Sequence, residues 1–162
     1  MTTALGESKD VLMKSILDGV TYCYLFLESI VFKDGELFIN LDQAALSTEK
    51  EDVEIVEGHA IKGCRSVEVM DETLGFQIHF SDPVYYQVIG ESANDFSGDT
   101  ISEQGNIITF SESSLIKYLR ESTDLFDFTA QSEELVHYCV TTADEWIHVL
   151  SRVEPVVSQK CA

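Results

Sequence analysis

Positive charge is scarce in this sequence: 10 lysines and arginines stand against 29 aspartates and glutamates in 162 residues, a formal charge of −19. A chain that holds nucleic acid through its bulk charge must neutralise phosphates with cations, so that class is excluded. Proline is scarcer still, with two, and 44% of residues are hydrophobic, which excludes a disordered acidic segment. The four cysteines, Cys23, Cys64, Cys139 and Cys161, include no Cys-x-x-C pair. The first three lie in or beside strand-like runs and are expected as reduced, packed thiols, with Cys161 an exposed tail thiol. No apolar run can span a bilayer, because the longest, Val20 to Phe32, is broken by Glu28 and falls short of about 20 residues. Met1 to Asp10 lacks a basic stretch followed by an apolar one, so no secretory signal is expected. A cytoplasmic chain with no membrane partner is the expectation.

Catalytic signatures are missing as well. There is no P-loop, no dinucleotide fingerprint and no His-Glu-x-x-His helix. Gly90-Glu91-Ser92-Ala93-Asn94 lacks the last glycine that a nucleophile elbow needs to hold its serine on a strained turn. With so many carboxylates, pairs at acid/base spacing arise by chance and carry no information. No enzyme, metal or cofactor is expected.

What is present is a series of strand and turn signals. Residues 8–18 read as an amphipathic helix, with Ser8 as N-cap and Gly19 beyond its end. Tyr22 to Phe32 and Leu37 to Leu41 flank Asp34-Gly35, a hairpin signal. Residues 42–52 read as a loop or short helix, and Val53 to Ile61 as a mixed strand. A turn at Asp71 to Leu74 would set Val69 opposite Phe76 and Val67 opposite Ile78, and Ser81-Asp82-Pro83 would turn the chain again. Residues 66–89 thus read as a three-strand antiparallel meander. Gly105-Asn106 precedes a strand at Ile107 to Phe110, and Ser111 is the expected cap of a helix buried through Leu115, Ile116 and Leu119. Leu135 to Leu150 forms a hairpin about Ala143-Asp144, followed by a short edge segment at Val153 to Val157. The expectation is a single globular domain over residues 1–162, with 158–162 a flexible tail. Its class would be α+β: a mainly antiparallel sheet with two or three helices packed on it.

The last hairpin carries the clearest constellation. Centred on Ala143-Asp144, it places Cys139 opposite His148, His137 opposite Leu150 and Thr141 opposite Trp146, so His137, Cys139 and His148 share one face. Two imidazoles and a thiolate are zinc ligands, and a small metal-dependent or hydrolytic enzyme is one alternative function. No fourth ligand is evident, and Val136, Tyr138, Val140, Ile147 and Val149 make the other face apolar. Half-buried, satisfied polar residues are therefore the preferred reading.

Charge patterning is more informative. Between Arg65 and Lys117 no basic residue occurs among nine acids, and between Arg120 and Arg152 none occurs among seven more. Such a one-sign field is either a solubility device on a structural or adaptor domain, or is offset when a cationic partner binds. Aromatic anchors beside charge favour binding: Tyr85 next to the acidic loop, with Tyr86 in the core, and Trp146 next to Asp144 and Glu145. The expected partner-binding residues are Asp71, Glu72, Tyr85, Glu91, Asp95, Asp99, Glu103, Asp144, Glu145 and Trp146. The preferred function is inhibition of a basic, nuclease-like toxin by occupation of its active-site cleft. The chain resembles small acidic immunity proteins in size and charge, without a motif. A monomer or weak dimer is expected.

Overall fold

The structure is a computed structural model that describes residues 24–69, 75–127 and 135–160. The hairpin at Asp34-Gly35 forms as its sequence requires. Asp34 and Gly35 both take positive φ, 55° and 87°, the backbone that matches the twist of the strands they join. β1 (Tyr24–Lys33) and β2 (Glu36–Leu46) leave this turn in register, with Lys33 opposite Glu36 and Leu27 opposite Leu41. A second hairpin, β3 (Glu51–Val56) and β4 (His59–Cys64), pairs only with itself among the described residues.

The strands that follow depart from the expected meander. β5 (Val67–Val69) and β6 (Gly75–Phe80) do not pair with each other; both run antiparallel along β2. Val69 stands opposite Ala44 and Gly75 opposite Asp42, so β5 and β6 run in the same direction along β2. Phe76 and Ile78 gain a better partner in β2 than Val69 and Val67 could supply, because they reach Leu41 and Ile39 between the sheets. Asp82-Pro83 is likewise no hairpin turn: β7 (Pro83–Gly90) joins a different sheet. Arg152 fixes this crossing, with its backbone N–H on the Asp82 carbonyl at 3.3 Å and its guanidinium on both Asp82 carboxylate oxygens at 3.1 Å.

The remaining elements are β8 (Thr100–Glu103), β9 (Ile107–Glu112), α1 (Ser114–Ser122), β10 (Val136–Thr141), β11 (Glu145–Ser151) and β12 (Val156–Lys160). One sheet has the order β1-β2-β6-β12, with β5 on β2, and the second the order β7-β11-β10-β9-β8. Leu37, Ile39, Leu41, Phe76, Ile78 and Phe80 of the first pack against Ile107, Tyr138, Val140, Ile147 and Val149 of the second. Phe80 and Tyr138 meet edge to face at 5.6 Å. Each fully buried side chain of this size contributes about 1.5–3 kcal/mol, so the interface between the sheets is the main source of stability. The outer face of the first sheet is polar, and there Asn40 bonds Ser29 and Gln77 at 2.9 Å each.

The expected α+β class is overturned: among the described residues strand makes up 62% and helix 10%, with one α-helix. Residues 42–46, read as loop or short helix, continue β2, because pairing with β1 and β5 outweighs the helical preference of Gln43, Ala44, Ala45 and Leu46. α1 starts two residues later than expected, since β9 runs on to Glu112 and Ser113 is the cap, its hydroxyl accepting from the Ile116 N–H at 3.1 Å. Residues 158–160, expected in a flexible tail, pair with β6 in β12. The expected helix at 8–18, Cys23 and Cys161 lie outside the described residues.

Candidate functional site

The outer face of the second sheet is covered by α1 and by the segment 91–99, which begins with a single 3-10 turn at Glu91–Ala93. Local chemistry shapes this segment. The Asp95 carboxylate accepts from the Ser97 N–H at 2.7 Å and from its hydroxyl at 2.8 Å. The first bond, then the second, holds the Asp95 carboxyl below the usual range. Gly98 takes φ 89°, and Asp99 accepts from the backbone N–H of Ser114, the first residue of α1. Phe96 turns inward onto Phe110 at 5.1 Å and Trp146 at 5.0 Å.

Between these covering elements and β7 lies a cleft of about 390 Å³. His137 and His148 form its floor, Ile89, Leu115 and Tyr118 supply apolar wall, and Asp95 and Asp99 stand at its rim. No lysine or arginine lines it.

The hairpin register matches the sequence expectation: Cys139 pairs with His148, His137 with Leu150 and Thr141 with Trp146. Its two histidines are 1% and 4% exposed and belong to a chain of hydrogen bonds. Asn94 Oδ1 can only accept, so with neutral rings the direction of the chain is set from that end, and the Ser113 hydroxyl, which also accepts from the Ile116 N–H, donates to His137 Nδ1 at 2.8 Å. His137 then carries its proton on Nε2 and donates to His148 Nδ1 at 2.9 Å. His148 in turn donates from Nε2 to Asn94 Oδ1 at 2.8 Å. Both rings are neutral in this arrangement. Burial, reinforced by the neighbouring His148, pushes His137 down to about 3. Burial also lowers His148, opposed in part by Asp99. The Cys139 thiol lies 3.8 Å from His148 Nε2, and burial pushes it up to about 12.

This geometry decides what the triad can do. His148 presents Nδ1 to His137 and Nε2 to Asn94 and the Cys139 sulfur, so the three donors do not aim at one point. A thiol held protonated is a poor metal ligand and a poor nucleophile. Among the described residues no three histidine, cysteine or carboxylate side chains are grouped to hold a metal ion. The chain of bonds instead fastens the cap of α1 to the 91–99 segment through the sheet. Ser113, Asn94 and Phe96 were not singled out from the sequence, and the helix cap was the only signal that pointed near one of them.

Of the expected partner-binding residues, one group is brought together. The Glu91 N–H donates to the Asp144 carbonyl at 2.9 Å, Glu145 pairs with Gly90, and Trp146 packs on Phe96 beside Asp95 and Asp99. Glu103 lies on β8 at the opposite edge of the sheet. Tyr85 pairs with Leu150 toward the start of β7 and bonds Gln87 at 2.9 Å. Tyr86, expected in the core, is 41% exposed and stacks on Phe32, because β7 is an edge strand that the first sheet covers incompletely. Asp71 and Glu72 lie outside the described residues.

In comparisons with known proteins, no family model, curated sequence or solved structure matches this chain. Among the described residues no helix is long and apolar enough to cross a membrane.

Proposed function

We propose that the chain is an acidic inhibitory binding domain, acting in the manner of an immunity protein in the cytoplasm, that covers the positive active-site cleft of a nuclease-like toxin. One observation carries the reading. Glu91, Asp144 and Glu145, from two separate stretches of sequence, meet at one end of the second sheet beside Trp146, and from there the 91–99 segment carries Asp95 and Asp99 across the outer face, over Phe96 and the rim of the cleft. No lysine or arginine lies in those stretches. A cationic nuclease presents positive charge wherever it holds phosphates, and a fixed acidic surface competes for that field. Inhibition of this kind needs no catalytic residue, cofactor, nucleic acid or membrane. It needs a rigid scaffold, and the hydrogen-bonded anchorage of the 91–99 segment provides one.

The test begins with products of neighbouring genes, screened for a basic protein retained at low salt. Association should slow steeply as NaCl rises from about 0.05 to 0.5 M, because the Debye length shrinks several-fold. The triple variant Glu91→Lys, Asp144→Lys, Glu145→Lys alters side chains that make no bond the fold depends on. It should lower the association rate at least about tenfold and flatten the salt dependence. An unchanged rate and slope would refute this surface. Retention of no basic protein at low salt would leave the acidity as a solubility device.

A further inference from the structure

Among the described residues the two sheets of this sandwich end in five edge strands, and four are protected against pairing with another chain, β5 because it is three residues long and carries Glu68. β1 carries Glu28, Lys33 and a bulge between Leu27 and Ser29. β12 follows Pro155 and ends on Lys160, and β8 is four residues long, irregular in register and ends on Glu103. Charge, proline, bulges and shortness are the usual devices that keep an edge from templating a new strand. β7 is different. Over eight residues, Pro83-Val-Tyr-Tyr-Gln-Val-Ile-Gly90, it holds no charged side chain, and its only proline is its first residue. From Tyr85 to Gly90 it runs without a bulge. Among the described residues its sole strand partner is β11, so its other edge offers a regular row of backbone donors and acceptors. Tyr86 and Val88 stand 41% and 44% exposed, and Tyr86 continues onto Phe32 at 6.2 Å.

We infer that the free edge of β7 is a self-association edge, on which two copies pair antiparallel about a twofold axis and join their second sheets into one. An uncharged strand has nothing to recognise in a charged one, and the chain's own β7 is an occupant of matching chemistry. A twofold register centred on Gln87 sets Tyr86 of one copy opposite Val88 of the other, and Tyr85 opposite Ile89. Both are aromatic-to-branched pairs, each worth about 0.2–1 kcal/mol over alanine. The same register brings the start of β7 in one copy to the end of β7 in the other. There Arg152, held on Asp82 at 3.1 Å, approaches the Glu91 carboxylate. It sits where like charges would otherwise meet. This inference shares only Glu91 with the toxin-inhibitor reading and has the opposite salt dependence. Two chains of charge −19 repel, so added salt strengthens their pairing while it weakens binding to a basic protein.

Sedimentation of the full chain from about 1 to 500 µM, at about 0.05 and 0.5 M NaCl, is the test. A dimer that tightens several-fold at the higher salt is expected. Val88→Lys should raise its dissociation constant at least about tenfold, whereas Val156→Lys, on β12, should leave it unchanged. Should Val88→Lys fail to fold, as judged by circular dichroism, Gln87→Cys replaces it. At this register the new cysteine meets its own copy and should form an interchain disulfide on mild oxidation. A monomer throughout the range, equal effects of the two lysine variants, no Gln87→Cys cross-link, or a dimer that weakens with salt would each overturn the inference.

Discussion

Acidification from pH 7.5 to 5 should destabilise this protein through His137, by an amount the structure sets. The ring is buried and neutral, its pKa moved from 6.5 to about 3. Between those values the unfolded chain binds a proton that the folded chain refuses, so stability falls as pH falls and does not change above pH 7. At about 1.36 kcal/mol per pH unit, the loss at pH 5 is about 2 kcal/mol from this group alone. His148, lowered in the same direction, adds to it. Carboxylate titration acts in the opposite sense, since protonating acids relieves self-repulsion, and it must be subtracted. His137→Gln does this, because glutamine keeps polar atoms that can face Ser113 and His148 but does not titrate. Urea denaturation followed by the single tryptophan, Trp146, gives the free energy at each pH, provided the denaturant slope stays constant. The parent should lose about 2 kcal/mol more than the variant over this interval. Parallel pH profiles for the two proteins would show that His137 protonates as freely in the folded state as in the unfolded, and would refute the neutral pair.

Other expectations follow from single contacts. Ser113→Ala removes both the cap of α1 and the donor to His137, and should cost about 2 kcal/mol in the same denaturation assay, more than an exposed cap alone. Ile78→Ala opens a void between the sheets and should cost about 2–5 kcal/mol, read as a lowered urea midpoint. Cys139, protonated and fully buried, should resist a thiol reagent at pH 8 until urea unfolds the chain, while partly exposed Cys64 reacts in the folded state; mass spectrometry of peptides distinguishes the two.

The legible parts of the fold were those where neighbours in sequence are neighbours in space. Asp34-Gly35 and Ala143-Asp144 each close a hairpin, and alternation along the second fixed the Cys139–His148 register. Side chains on one face of that hairpin were thereby identified without knowledge of the rest. Residues 66–89 failed for the converse reason. Their alternation fits any antiparallel partner, and nothing local says that β2 will be the partner of both β5 and β6, or that Arg152 will hold Asp82 from 70 residues away. The helical bias of 43–46 was real and was outweighed by pairing on both sides. The candidate site divides in the same way: the histidines were placed, whereas Ser113 and Asn94 join them across 24 and 54 residues. Tyr86 was misplaced in the core because alternation identifies two faces of a strand but cannot say that one sheet stops short of covering the other.

The β3–β4 hairpin leaves the sandwich and returns to it through one closing contact, the Ser47 N–H on the Ser66 carbonyl at 2.8 Å. Its Val53, Ile55, Val56 and Ile61 face solvent, and neither strand pairs with either sheet. A two-stranded ribbon without a covered face is marginal on its own, so its opening is decoupled from that of the core. The excursion is therefore separable in evolution and in engineering: residues 48–65 can be shortened, exchanged or nicked by a protease while the strands on either side keep their partners.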